Sequence, residues 1–516
     1  MKKTLSILLA ALLIAGLLAG CGDSGSGATT SSGAASSGAA SSGGSAEPAT
    51  IDMDEAPYEV SIQFVGLFEE NNNIANVEAA LSAITKEKIN VTVDIVPVFI
   101  GNLPTTTSLG VAGDEKLDIV AVGLTSPMDN MVSQELLLPL DDLLASRGQA
   151  ALAVTEHVSA AQKMNGITYA VSGYPYAAMS GSFVYNKTMA DEFGIDMHDG
   201  MTSEELTEAA RICKEHGVYF TSYPNSSQLN YKFQNGGDYF GTSGAFGGIL
   251  DPANSTTIVN VFDSEEFRSF WRQNKLWFDE GLTPPDQLTD TTSVQEYFAN
   301  QHLFGTATAY TTNQMATWTN PNFETGIVRT SEPSVSTAGA REFMLGIAAN
   351  CKRPDKAMDL INLIYADADV ANLLMYGVEG TDYVAVEGTE NVITRAGTAN
   401  ADNNSYYAGF VHYGDPTMLK IVAPLTDSYP EDTRAFENEA KMSLTFGYDF
   451  DGSAFSAEAG AIGTILEQKL PALNAGAVAD VDAAVDELVA ALNAAGMQDC
   501  IDANQKALDA WLEANK

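Results

Sequence analysis

The sequence predicts an α/β protein of two lobes with a cleft between them, a hinge joining them and a helical C-terminal region. Three observations carry this. The folded part opens at Tyr58 with a strand-helix-strand pattern. Roughly 465 residues remain once a leader and a low-complexity stretch are set aside, long for one core and natural for two. The stretch from Asn165 to Lys187, NGITYAVSGYPYAAMSGSFVYNK, sets two apolar strands, Ile167 to Val171 and Gly181 to Tyr185, on either side of small and aromatic residues where a polar turn would be ordinary. Such a segment can leave one lobe as a strand and enter the other as a strand. Tyr174, Pro175 and Tyr176 then put rings and a stiff backbone at the crossing, where a ligand held between lobes would lie. An ordinary βαβ segment with a buried loop is the competing reading of these residues.

At its start the chain carries two lysines, an apolar run from Leu5 and then small residues. That run is short for a spanning helix and has the layout of a secretion signal. Leu18-Ala19-Gly20-Cys21 matches the bacterial lipobox, whose cysteine becomes the lipid-bearing first residue of the mature protein. Residues 1–20 therefore read as a signal peptide, and residues 21–50 as lipidated Cys21 followed by a Gly/Ser/Ala tether that buries too little apolar surface to fold. A flexible tether of this length spans on the order of 30 Å.

The 26 basic and 67 acidic residues give a net charge of -41, which repels nucleic acid and anionic lipid heads. A hydrophobic content of 45% argues for a packed body. With Cys21 taken by lipid, three cysteines remain. Cys213 lies on an apolar helix face with Leu206, Ala209 and Ala210, while Cys351 and Cys500 pair only if the fold brings them together.

Val60, Ile62 and Phe64 alternate as in a strand, Val77, Ala80, Leu81 and Ile84 share one helical face from about Ile74 to Glu87, and Ile89, Val91, Val93 and Ile95 alternate again. This β-α-β unit implies parallel strands. Ligands of such sheets sit beyond the carboxyl ends of the strands, so Phe68, Glu69, Asn71 and Asn72, in the loop after the first strand, are candidate ligand contacts or simply a solvated helix entry. A helix from Leu103 to Glu115, weakened by Gly110 and Gly113, a buried strand from Leu117 to Gly123 and an amphipathic helix near Pro139 to Leu144 complete the first pass.

Beyond the crossing, Thr202 to His216 reads as a helix. The Gly-, Asn- and aromatic-rich stretch from Phe220 to Gly248 offers Tyr223, Asn225, Tyr231 and Tyr239 either to a polar ligand or to an irregular packed insertion. Asp263 with Glu266 suggests a capped start to a helix through Glu280, whose Phe267, Phe270, Trp271, Trp277 and Phe278 recur at core spacing. FMLGIAA, from Phe343 to Ala349, is a buried strand. The tail from Ser453 reads as three helices with breaks at Ala475-Gly476 and near Gly496.

The short strand ending in Tyr169, the Tyr-Pro crossing and the Tyr185-Asn186-Lys187 strand resemble family 1 extracellular solute-binding proteins, the receptors of sugar-importing ABC transporters. The stretch NCKRPDKAMDLINLIYADADVANLLMYGVEGTDYVAV resembles a lipid-anchored subgroup of that family, and the likeness covers nearly all of Tyr58 to Lys516. It implies a type II periplasmic-binding-protein-like fold, with residues 55–175 and 305–352 in lobe 1 and residues 176–304 and 353–516 in lobe 2. It implies a return crossing at GTATAYTTNQMATW, which makes Tyr310 and Trp318 ring platforms, and a strand-end Asp118 that either accepts sugar hydroxyls or caps a loop. Glu379 and Tyr383 lie in a tight loop that reaches a ligand or holds the lobe together. The implied partners are a sugar, permease subunits and the membrane through Cys21, with a monomeric, cofactor-free protein on the outer face of the cytoplasmic membrane.

No Walker loop, Gly-x-Ser-x-Gly or His-Glu-x-x-His is present, and the five histidines lack metal-ligand spacing. A calcium-loop-like run from Gly447 to Glu458 has Gly447 where a main ligand should stand, so no metal is expected. The expected role is a non-catalytic carbohydrate receptor of an ABC importer. A lipid-anchored glycoside hydrolase, which needs only two carboxylates, and a peptide or sensor receptor are the alternatives.

Overall fold

Tyr58 to Phe99 folds as its alternation dictates. In a computed structural model that describes residues 49–66, 73–222, 236–290, 292–313, 318–396, 406 and 411–515, the strand Tyr58–Gly66 buries Val60, Ile62 and Phe64. Helix Ile74–Ile89 then crosses to the strand Val91–Phe99, which pairs in parallel from Tyr58 opposite Val91 to Gly66 opposite Phe99. Ile119–Gly123 adds a third parallel strand, and Phe343–Ile347 pairs antiparallel with it and with Ala170–Ser172. These five strands form the sheet of the first lobe.

The second lobe is built on Ser180–Asn186, a strand buried at all seven positions. A fully buried strand needs a partner on each edge, and Gly305–Tyr310 and Thr325–Arg329 supply them, both antiparallel. This corrects the expected lobe boundaries. The chain does not return to the first lobe at residue 305, but at Phe343. Nor does residue 353 begin the second lobe. Helices Pro354–Ala366 and Ala368–Tyr376 pack on the first sheet, because Ala357, Met358, Leu360, Ile361 and Ile364 provide the apolar cover its face requires.

The chain therefore crosses between lobes three times, at residues 173–179, 330–342 and 423–443. The three segments are stitched side by side. Met179 N donates to Ser334 O (3.0 Å) and Ser334 N to Met179 O (2.8 Å), while Ser334–Val335 pairs in parallel with Lys441–Met442. A small core of Val158, Ala177, Ala178, Val335, Phe436 and Phe446 fills the junction.

Helix Glu265–Asp279 buries Phe267, Phe270, Trp271 and Trp277, as their spacing requires, with Phe278 half-buried. Its cap is Ser264, whose hydroxyl accepts from Phe267 N at 3.2 Å; Asp263 instead pairs with Arg268. The three tail helices, Ser456–Asn474, Val481–Ala494 and Met497–Ala514, close over this helix through Leu466, Leu470, Leu488, Leu492 and Leu508. Trp271 Nε1 donates to Asn474 Oδ1 (2.9 Å) and Asn274 Nδ2 to Asn474 O (3.0 Å). In the calcium-loop-like run, Asp449 is bound to Arg341, and Asp451 Oδ1 accepts from Ser453 N at 3.0 Å.

Cys213, Cys351 and Cys500 are free thiols. Burial pushes the Cys213 thiol up to about 12. No helix among the described residues is long and apolar enough to cross a membrane.

Candidate functional site

The carboxyl edge of the first sheet is where the first crossing leaves it. Ser172 is fixed on three sides: its carbonyl accepts from Tyr365 OH (2.6 Å), its hydroxyl donates to Ala340 O (2.7 Å) and accepts from Tyr174 N (3.1 Å). Gly173 follows, and a Cβ there would lie 2.5 Å from His412 O and 2.8 Å from a Phe343 ring carbon. Only glycine lets the His412 segment come this close. The Tyr174 and His412 rings consequently meet edge to face, with centroids 5.0 Å apart.

One step along the same edge, Leu124 N donates to Glu342 O at 2.8 Å, an approach made possible by Gly123, whose φ is +93. The Glu342 side chain is solvent-accessible, yet burial raises its carboxyl above the usual range. Burial likewise pushes the Tyr174 phenol well up, with Glu342 and then Tyr429 adding to the effect.

The second lobe contributes Thr312 and Asn313, just past the strand Gly305–Tyr310, and the third crossing contributes Tyr429 and Thr433. Thr312 and Thr433 share a hydroxyl hydrogen bond of 2.8 Å, and their hydroxyls oppose the rise that burial gives the Tyr429 phenol. Asn313 Nδ2 lies 3.4 Å from His412 Nε2. Burial lowers the His412 pKa to about 4, so its ring is neutral near pH 7. With Asn313 donating to Nε2, the ring proton belongs on Nδ1, which is buried and has no hydrogen-bond partner among the described residues. The site thus offers an orphaned N–H donor, an accessible carboxylate and two phenols, all carried on separate chain segments.

Behind it, the hinge is held by Glu437. Its Oε2 accepts from Ala178 N at 2.8 Å, and its Oε1 lies 3.6 Å from His157 Nε2. The Tyr176 ring stands 6.1 Å from His157, and Tyr310 meets Phe436 edge to face at 5.0 Å.

Residues 79–384 match the family described as bacterial extracellular solute-binding protein. The chain belongs to that family. Residues 444–513 match a domain of unknown function. A carbohydrate ABC transporter substrate-binding protein of Streptococcus pneumoniae is 25% identical over 365 residues, 68% of this chain and 71% of that protein. Among solved structures, an N-glycan transport solute-binding protein of Streptococcus pneumoniae superposes with a TM-score of 0.77 at 22% identity, over 89% of this chain and 100% of that one. An ABC-transporter-associated solute-binding protein of Bifidobacterium longum infantis does so at 0.61 and 15% identity, over 89% and 100%. These likenesses establish the two-lobed fold.

In this solute-binding protein, Tyr174 and Tyr176 lie on the first crossing, and Tyr310 ends the strand Gly305–Tyr310. Trp318 does not serve as an open platform: it is 9% exposed and packs edge to face on Phe298 (5.6 Å), in a cluster with Phe323 and Val184, because three large rings there bury one another. Asp118 is also no cleft residue. It precedes Ile119–Gly123, at the amino end of the parallel strands, and is 1% exposed. Its carboxylate accepts from Tyr58 OH (3.1 Å), Ser61 N (2.9 Å), Ser61 Oγ (3.3 Å) and Cys351 Sγ (3.1 Å), which consumes its bonding capacity internally.

Glu379 is exposed and Tyr383 buried against Tyr376; their loop is held by Asp382, which accepts from Val378 N (2.8 Å) and Asn73 Nδ2 (2.7 Å). Tyr239 packs against the second-lobe core. Phe68, Glu69, Asn71, Asn72, Tyr223, Asn225, Tyr231 and Cys21 lie outside the described residues.

Sequence reasoning missed Glu342, His412, Asn313 and Tyr429. Tyr429-Pro430 repeats the Tyr174-Pro175 dipeptide and could have been found on that basis. Glu342 is one acid among 67 acidic residues and carried no signal of its own.

Proposed function

We propose that this protein is the substrate-binding receptor of an ABC importer, that its ligand is a carbohydrate, in the first place an oligosaccharide, and that lipid on Cys21 holds it at the outer face of the membrane. The observation that carries the ligand class is the pairing of phenol rings with uncharged hydrogen-bonding groups at the crossings: Tyr174 against His412, and Tyr429 against Thr312 and Thr433. Ring faces stack on the apolar faces of sugars, while amides, hydroxyls and a neutral imidazole serve hydroxyl groups without demanding charge. The carbohydrate role of the Streptococcus pneumoniae relative supports the same class.

Ligand seated on Tyr174 and His412 of the first lobe would gain Thr312 and Asn313 of the second only when the lobes close on it. Closure would bend the three stitched crossings and present one shape to the permease. The protein acts by binding and release, not by catalysis.

A thermal-shift panel of mono- and oligosaccharides, with short peptides as controls, tests the reading. Ligand at a hundred times its Kd adds about 2.7 kcal/mol of stability. A sugar that raises the melting temperature and is recovered intact supports the receptor; a cleaved sugar supports a glycosidase; a shift with peptides alone removes the sugar assignment.

A further inference from the structure

We propose that Thr312 and Asn313 latch the second lobe onto the first, so that the cleft rests shut and ligand enters only when the latch lets go. The inference rests on the receptor reading and adds to it the residues that time its opening.

The strand Gly305–Tyr310 runs out of the second-lobe sheet directly into Thr311, Thr312 and Asn313. Each of the three is engaged. Thr311 Oγ1 donates to Asn313 Oδ1, which fixes the amide and leaves Nδ2 to His412 Nε2, 3.4 Å away. Thr312 and Thr433 share their hydroxyl bond of 2.8 Å.

Both contacts lead to one segment of the first lobe, residues 411–422. His412 belongs to it, and its neighbour Tyr413 is sunk into the first sheet: the Tyr413 hydroxyl donates to Gln63 O (3.0 Å) and accepts from Val65 N (3.3 Å). Thr433 reaches the same segment through the next residue of its helix. Arg434 Nη2 donates to Thr417 Oγ1 (2.8 Å), and that hydroxyl donates to Asp415 Oδ1 (2.8 Å). The second lobe is therefore held to the first at two adjacent points, with protein atoms on both sides of each.

Both bonds join uncharged groups, so each biases an equilibrium modestly, by about 3- to 10-fold. Such a latch favours the shut form and still yields to a ligand. Asn313 stands on His412, one of the two rings against which ligand is read to rest, so latch and sugar compete for one place. Association is then slowed by the fraction of molecules that are open. A sugar that takes over the bonds of Thr312 and Asn313 replaces the latch, and the same groups hold the lobes together around it.

The test uses the full chain with N313A, T312V and both changes together. N313D is the conservative control: its carboxylate keeps the Thr311 bond and accepts from an Nε2–H on His412. Cooperative urea unfolding confirms that each variant folds. Small-angle scattering without sugar is expected to give a larger radius of gyration in N313A and T312V, the largest in the double variant, and the wild-type radius in N313D. Stopped-flow association at pH 7, with whichever of maltotriose, cellotriose and mannotriose binds, is expected to quicken by about 3- to 10-fold in N313A and in T312V. An unchanged radius in the double variant, or a bound sugar whose association no variant quickens, overturns the latch and leaves the receptor standing. A radius that rises in a chain that binds no saccharide upholds the latch and removes the sugar assignment.

Discussion

Glu437 accepts the backbone N–H of Ala178 at 2.8 Å, which ties the helix Tyr429–Glu439 of the third crossing to the first crossing 259 positions earlier in the chain. The two segments belong to different passes between the lobes, so this one bond fixes how they move together. In Glu437→Ala the Ala178 N–H loses its acceptor in a junction filled by Ala177, Val335 and Phe436. A loss of about 1–3 kcal/mol is expected, and Glu437→Gln, which keeps an acceptor oxygen, should recover part of it. Urea midpoints of the three proteins measure this; a Glu437→Ala midpoint equal to wild type would mean that water takes the place of the bond.

Two histidines at the junction should give opposite pH slopes. His157 is raised above 6.5, chiefly by the Glu437 carboxylate beside it, so its contribution to stability is fully present below pH 6.5 and is lost as pH rises through the folded value. Its side chain is 40% exposed, and solvent screening keeps that contribution small. His412 is lowered from 6.5 to about 4 by burial. Its unfolded form takes up a proton first, so stability holds above pH 6.5 and falls between pH 6.5 and 4, by on the order of 3 kcal/mol in all. Unfolding free energies from pH 4 to 8 should therefore lose their acid slope in His412→Gln and their weaker neutral slope in His157→Gln. An unchanged acid slope in His412→Gln would place the imidazole in contact with water.

The tail, residues 444–513, has the internal role of completing the second lobe. Its helices cover Phe267 and Trp271, and Asn474 is the bond that joins them: its side chain accepts from Trp271 and its carbonyl from Asn274. Asn474→Ala leaves the buried indole N–H without a partner and is expected to cost about 1–3 kcal/mol. Truncation before residue 444 should expose Trp271, read as a red shift of tryptophan emission and loss of cooperative unfolding. A truncated chain that unfolds as sharply as the full one would show that the lobe is complete without its tail.

The local elements were legible and the long-range choices were not. Alternation in Val60, Ile62 and Phe64 and the helical spacing of Phe267, Phe270, Trp271 and Trp277 each decide an element within a few residues, and the structure follows them. Which sheet receives Gly305–Tyr310 depends on the free edge of Ser180–Asn186, more than a hundred residues earlier, and alternation holds no record of that. Asp118 was misread for the same reason. Its partners Tyr58, Ser61 and Cys351 stand 60, 57 and 233 positions away, and only their convergence turns a strand-end acid into a structural tie. The first crossing was visible because small residues flank Tyr174-Pro175; the third was not, because its anchor, Glu437, sits in an unremarkable acidic helix.

Gly173 is the position where a single methyl group should separate binding from fold. Its backbone N–H donates to Phe343 O at 2.9 Å, and an added Cβ would meet His412 O at 2.5 Å, a backbone atom that no rotamer change can move aside. Gly173→Ala must then push the His412 segment away from the first sheet or shift Tyr174, and either movement breaks the edge-to-face contact of the two rings. Overpacking of this kind costs about 1–3 kcal/mol, well within what a protein of this size tolerates. Affinity for a ligand held between Tyr174 and His412 should fall more steeply than stability, because a displacement of about 1 Å at a binding group is felt in full by the ligand. Calorimetric titration beside a urea melt distinguishes the two effects. If affinity falls only in proportion to stability, the ligand does not rest on this pair of rings; if affinity is lost in a protein that still unfolds cooperatively, the Tyr174–His412 wall is where it sits.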